Sequence, residues 1–190
     1  TNLVSIGAAT FDGTDVYGYP YDINNNTSDS FADVLTSRYI RFVTPPNNVF
    51  LSFMYQTGGL GELPELEDSL VVEFWSPQDS LWEKVWARKG NSQTSNFKSA
   101  IIPVNQPNHL QDGFRFRFGA YGARNGAFDV WNIDYVQLDQ NRTPGDTAIV
   151  EPAFVKPHSF LTKNFNSVPW FHFNNNLIRD SIPFTYRRNG

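Results

Sequence analysis

The sequence predicts an all-β fold, a two-sheet sandwich or a barrel, on three observations. Aromatic residues make up 16% of the 190 residues and charged residues only 18%, and rings sit well on a pleated, half-buried surface. Several segments alternate apolar and polar residues with the two-residue period of a strand. Clusters of Gly, Asn, Asp, Ser and Pro separate those segments at regular spacing, and no helical period intervenes.

Taken in order, the first thirty residues are rich in Gly, Asn, Asp and Ser. After a short LVSI strand they read as a long loop that Phe11, Tyr17, Tyr19 and Tyr21 pin to the body. RYIRFV at 38–43 and NVFLSFMYQ at 48–56 read as strands, divided by a Thr-Pro-Pro-Asn-Asn turn whose prolines cannot donate to a ladder. The loop TGGLGELPELED, glycine-rich and then acidic, leads into DSLVVEFWSP, in which Leu70, Val72 and Phe74 share one face. LWEKVWARKG completes a hairpin with it, setting Trp82 and Lys84 opposite Leu81, Glu83 and Val85. FKSAIIPV at 97–104 comes next. In GFRFRFGAYG at 113–122, Phe114, Phe116 and Phe118 alternate with Arg115 and Arg117, so the arginines belong to a solvated face or groove. FDVWNIDYVQLDQ at 128–140 closes the pattern.

About eight strands therefore build one sandwich over residues 1–140. Residues 141–190 change character: they are proline-rich, without clean periodicity, and read as a linker leading to an irregular aromatic extension. Phe160, Phe165, Trp170, Phe171 and Phe173 are too many rings to leave in water. They mark a surface that packs on the sandwich, on a further domain or on a partner.

Several function classes are excluded. With no cysteine there is no disulfide, thiolate zinc site or thiol catalysis. A net charge of −4 and a single basic doublet, Arg187-Arg188, do not make a phosphate-neutralising surface, so nucleic acid is not a partner. No apolar run approaches the length that spans a bilayer. Thr1 in place of an initiating Met points to a processed, exported polypeptide or a fragment of a longer one.

The remaining chemistry is limited. His109, His158 and His172 show no zinc-binding spacing, and the glycines of GGLG and GAYGARNG sit between strands rather than before a helix. Glu73 and Glu83 face one another across the proposed hairpin, which keeps open a glycosidase with paired carboxylates. The acidic loop residues Glu62, Glu65, Glu67 and Asp68 form a further possible oxygen cluster. Trp75, Trp82 and Tyr121, with Trp86 and Trp131, are candidates for stacking on sugar rings; the competing place for such rings is the core.

The segments DSLVVEFWSP…LWEKVWARKG and GFRFRFGAYGARNGAFDVWNIDYVQL resemble the late strands of MAM-like and laminin-G-like (concanavalin-like) jelly-roll domains, over residues 48–138. TFDG, LSFMYQTGGLGELPELEDSL and WNIDYVQL are similar to domains of large exported Bacteroidota surface proteins associated with type IX secretion or gliding motility. The tail FLTKNFNSVPWFHF is similar to the segment C-terminal to such a domain in those proteins. The cysteines of animal MAM domains are missing.

The resemblance implies a jelly-roll β-sandwich that serves as a non-enzymatic recognition or adhesion module, extracellular or at the outer membrane, with a glycan or a protein as ligand. It implies no required cofactor beyond a structural calcium near the first and last strands. Asp12 and Asp15 of FDGTD and Asp134 of the closing strand would supply the hard oxygen ligands such an ion takes. The other reading is a structural subunit of a cell-envelope assembly, docked through the C-terminal segment.

Overall fold

The computed structural model describes residues 5–25, 27, 30–42, 46–146, 151–154 and 156–189. They fall into two compact units. The described residues from 8 to 146 form the first, and 5–7 with those from 151 onward belong to the second.

The first unit holds eight strands: β1 (Ala9–Phe11), β2 (Phe31–Thr36), β3 (Val49–Thr57), β4 (Ser69–Ser76), β5 (Leu81–Lys89), β6 (Lys98–Val104), β7 (Arg115–Tyr121) and β8 (Trp131–Asp139). They pair antiparallel in two four-stranded sheets, ordered β1-β8-β3-β6 and β2-β7-β4-β5. Successive strands cross between the two sheets except at the β4–β5 hairpin, which is the jelly-roll arrangement, so the fold is the all-β jelly-roll sandwich that the sequence predicts.

Period-two patterning fills the space between the sheets. Leu70, Val72 and Phe74 of β4, Phe118 and Ala120 of β7, Leu51 and Phe53 of β3 and Trp131 and Ile133 of β8 form one buried cluster. The Phe53 ring meets Phe118 and Trp86 edge-on, with centroids 4.9 and 5.2 Å apart. Two of the ring-bearing residues weighed as sugar platforms, Trp86 and Trp131, are thus spent on packing. A bulge in β8 at Tyr135, whose φ is +51°, shifts the register against β3. One extra residue there changes which parity points inward, so Leu138 packs on the core beyond it.

Three expectations change. Leu3 and Val4 of the LVSI strand lie outside the described residues, and Ser5 and Ile6 are not in a strand. Of RYIRFV, Val43 lies outside the described residues and 38–42 contribute only an isolated bridge, Ile40 to Phe114; Phe42 N–H donates instead to the Asp112 carboxylate. The residues after β8 are tied into the sandwich, Asn141 and Arg142 N–H donating to the carbonyls of Asn47 and Asn48 and Arg142 Nη1 to Ser52 Oγ. The appended segment therefore starts beyond Asp146 and not at residue 141.

In the second unit, β9 (Glu151–Phe154) pairs antiparallel with β10 (Tyr186–Asn189). Between them run two short 3₁₀ turns, Trp170–His172 and Asn175–Leu177. Arg179 ties the intervening chain together by donating to the carbonyls of Thr162 and Lys163. The irregular character expected of this segment is what the structure shows.

Candidate functional site

The register of the β2-β7-β4-β5 sheet decides which side chains leave the core. Glu73 pairs with Arg117 and Lys84, Trp75 with Arg115 and Trp82, and Ser69 with Tyr121 and Lys89. Because the alternate residues of β4 and β7 are buried between the sheets, these share the outer face. Arg115 and Arg117 thus lie on the face turned away from the core, both of them half-buried among their neighbours.

At one end of this face the Trp75 and Trp82 rings lie 5.4 Å apart, inclined by 57°. At the other, Phe31 and Tyr121 lie 4.4 Å apart. Between them Arg117 is layered over rings, its Cζ 4.3 Å from the Trp82 centroid and 5.2 Å from that of Phe31. Its Nε is 2.5 Å from Glu73 Oε2, and both side chains are largely buried. Arg115 lies 4.7 Å from the Tyr39 ring and 5.8 Å from Trp82, with Nε donating to the Ser37 carbonyl. Arg115 and Tyr121 are six residue steps apart along β7, so the platform is about 20 Å long.

One glycine makes the far end possible. A Cβ on Gly119 would collide with Phe31 Cε1, because the ring lies directly over the β7 backbone there. The three predicted ring residues thus share one face, Trp75 with Trp82 and Tyr121 with Phe31. Phe31 and Tyr39 were not anticipated; Phe31 belongs to a segment that carries no clean alternation, and Tyr39 to one that the ladder abandons.

The other predicted groups disperse. Glu73 and Glu83 lie on opposite faces, since Glu83 pairs with Phe74 across the ladder and meets His109 Nε2 at 3.1 Å. Burial holds His109 below its usual titration range despite that carboxylate. Asp12 accepts from Thr14 N–H and hydroxyl, and Asp15 from the N–H groups of Tyr17 and Tyr19. Asp134 accepts from Tyr135 N–H. Phe11 pairs with Trp131 and Ala9 with Ile133, so Asp12 and Asp134 extend from opposite ends of the β1–β8 ladder. The expected calcium ligands are not gathered at one point.

Carboxylates do gather elsewhere. Glu65, Asp68 and Asp129 each place an oxygen within 4.8 Å of the others, the only such group of possible metal ligands among the described residues. They line a cavity of about 570 Å³ with Glu62, Glu67 and Phe128. Val130 N–H donates to the Glu62 carbonyl and Gly58 N–H to that of Val130, which draws the acidic β3–β4 loop onto the start of β8. Burial first, and then Asp68 and Glu65 nearby, push Asp129 up to about 7, although Ala123 N–H donates to it. The acidic loop was visible in the sequence, but Asp129, sixty residues downstream, was not.

No family model and no curated protein matches this chain. Among solved structures it is similar to a mutant of Xylanase10C from Cellvibrio japonicus in complex with xylopentaose, at 11% identity over 74% of this chain and 28% of that one, TM-score 0.40. It is also similar to a structure described as "CBM4 structure and function", at 14% identity over 71% of this chain and 95% of that one, TM-score 0.36. Such distant likenesses carry no functional weight, and this chain spans under a third of the xylanase. The sandwich is defined by the strand register itself.

Proposed function

We propose that the sandwich is a non-catalytic recognition module that binds a glycan chain along the outer face of the β2-β7-β4-β5 sheet. The observation that carries this reading is the platform itself, with ring pairs Trp75–Trp82 and Phe31–Tyr121 at its two ends. A sugar ring has an apolar C–H face that packs on a π surface while its hydroxyls stay hydrated, so stacked rings recognise sugars without a deep pocket. The platform is long enough for several linked rings rather than one. Its one carboxylate among the described residues, Glu73, is engaged by Arg117, so these residues do not present the pair of free carboxylates that glycoside hydrolysis uses. Placement outside the cell, on an exported surface protein of the kind the resemblance implies, belongs to the same proposal.

Isothermal titration against a panel of neutral and acidic polysaccharides tests it. Trp75→Ala and Trp82→Ala should each weaken binding about tenfold, with the fold verified by circular dichroism. Undiminished affinity in both variants would overturn the reading.

A second reading rests on the C-terminal unit, where Trp170 and Phe171 are more than four-fifths exposed and Phe160, Phe165 and Phe173 are exposed as well. Rings so presented suit a protein surface, and the unit would then dock the module on a partner or a neighbouring domain. Co-purification from native envelope that survives Trp170→Ala with Phe171→Ala would count against it.

A further inference from the structure

The platform carries a charge pattern that narrows its ligand. Across the four strands, register turns outward Phe31, Val34 and Thr36 of β2, Arg115, Arg117 and Tyr121 of β7, Glu73 and Trp75 of β4, and Trp82, Lys84 and Lys89 of β5. Four of the side chains on this face are cationic and one is a carboxylate, on a chain whose net charge is −4. Chance placement in an acidic protein does not favour that inversion.

The cations play different parts. Arg117 is paired with Glu73 and layered between Trp82 and Phe31, so it stiffens the platform. Arg115 has no carboxylate partner among the described residues. Its Nε is held by the Ser37 carbonyl and its plane by Tyr39 and Trp82, while its other N–H donors have no protein acceptor among the described residues. A guanidinium fixed in place with open donors is preorganised for the two oxygens of a carboxylate or sulfate. It stands directly across the ladder from Trp75, one cross-strand spacing from a ring that would stack a sugar. Lys84 and Lys89, both exposed, continue the positive charge along β5.

Resting on the platform reading, we infer that the glycan is acidic: a polysaccharide whose rings carry carboxylate or sulfate groups, with Arg115 as the anion-binding residue and Lys84 as its auxiliary. Neutral glycans would leave these cations solvated and gain nothing from them.

Titration of the intact chain against alginate and polygalacturonate as uronates, carrageenan as a sulfated polymer, and xylan and mixed-linkage glucan as neutral ones decides the matter. The acidic polymers should bind at least tenfold more tightly. That preference should shrink as salt rises from about 0.05 M to about 0.5 M, where exposed charges are screened. Arg115→Gln, which keeps much of the apolar stem, should cost about tenfold toward the acidic polymers and under twofold toward neutral ones, and Lys84→Gln less in the same direction. Relative losses among alginate, polygalacturonate and carrageenan separate carboxylate from sulfate recognition. Binding of a neutral polymer as tight as any acidic one, unchanged in Arg115→Gln, would overturn the inference and leave the platform reading standing. Failure of the folded protein to bind any polymer would overturn both.

Discussion

Trp82 supports two guanidinium groups at once, with Arg117 at 4.3 Å and Arg115 at 5.8 Å from its ring centroid. This one side chain, drawn from the edge strand β5, holds both arginines of β7 in place. Trp82→Ala should therefore cost about 1 kcal/mol of stability through lost cation–π contact, beyond any loss of ligand. Trp75→Ala, whose ring has no arginine within that range, should cost less. Urea unfolding of both variants measures the difference.

Gly119 is the point on β7 where a side chain has no room. Its added Cβ would meet three atoms of the Phe31 ring within 2.9 Å, so Gly119→Ala must push that ring off the face and away from Tyr121. A destabilisation of about 1–2 kcal/mol is expected from the forced repacking. Chemical shifts of the Tyr121 ring should move while those of the Trp75–Trp82 end stay in place.

The pair Arg117–Glu73 is largely shielded from water. Removing one partner leaves the other charge stranded, so Arg117→Ala should destabilise by about 2–3 kcal/mol. The double variant Arg117→Met with Glu73→Leu should recover much of that loss. Chemical denaturation of the single and double variants provides the check.

Asp129 ties stability to pH. Its folded value, pushed up to about 7, lies above that of an unfolded aspartate, so the folded state binds the proton more tightly between roughly pH 4 and 7. Stability contributed by this group is greatest below the unfolded value and falls as pH rises through 7. Asp129→Asn retains an acceptor for Ala123 N–H and should raise the melting temperature at pH 8, by about 1–2 kcal/mol of added stability. It should also flatten the slope between pH 5 and 8, which thermal melts across that range would record.

How much of this was legible depends on whether the relevant contact is local. Phe114, Phe116 and Phe118 alternating with Arg115 and Arg117 specify both the strand and its two faces, and β4 and β5 declare themselves the same way. β2 does not, because a shift in register between Phe31 and Val34 breaks its period. RYIRFV shows the opposite failure: its alternation is clean, yet the Asp112 side chain takes the N–H of Phe42 and residues 38–42 make only one bridge. Trp75 and Trp82 could be named because a hairpin makes them neighbours, whereas Asp129 meets Glu65 and Asp68 only after the whole sandwich closes. The calcium ligands read from Asp12, Asp15 and Asp134 depended on the ends of β1 and β8 coinciding, and the observed register separates them.

β5 lies at the outer end of its sheet, so among the described residues no strand pairs with the far side of its backbone. An unpaired strand next to so many aromatic side chains is a template on which a second copy could grow a continuous sheet. Lys84, Arg88 and Lys89 stud that margin, and the extra residue Val85 breaks its straightness. Lys84, assigned above to ligand recognition, therefore has a second consequence: a charge on that margin disfavours edge-to-edge pairing with another copy.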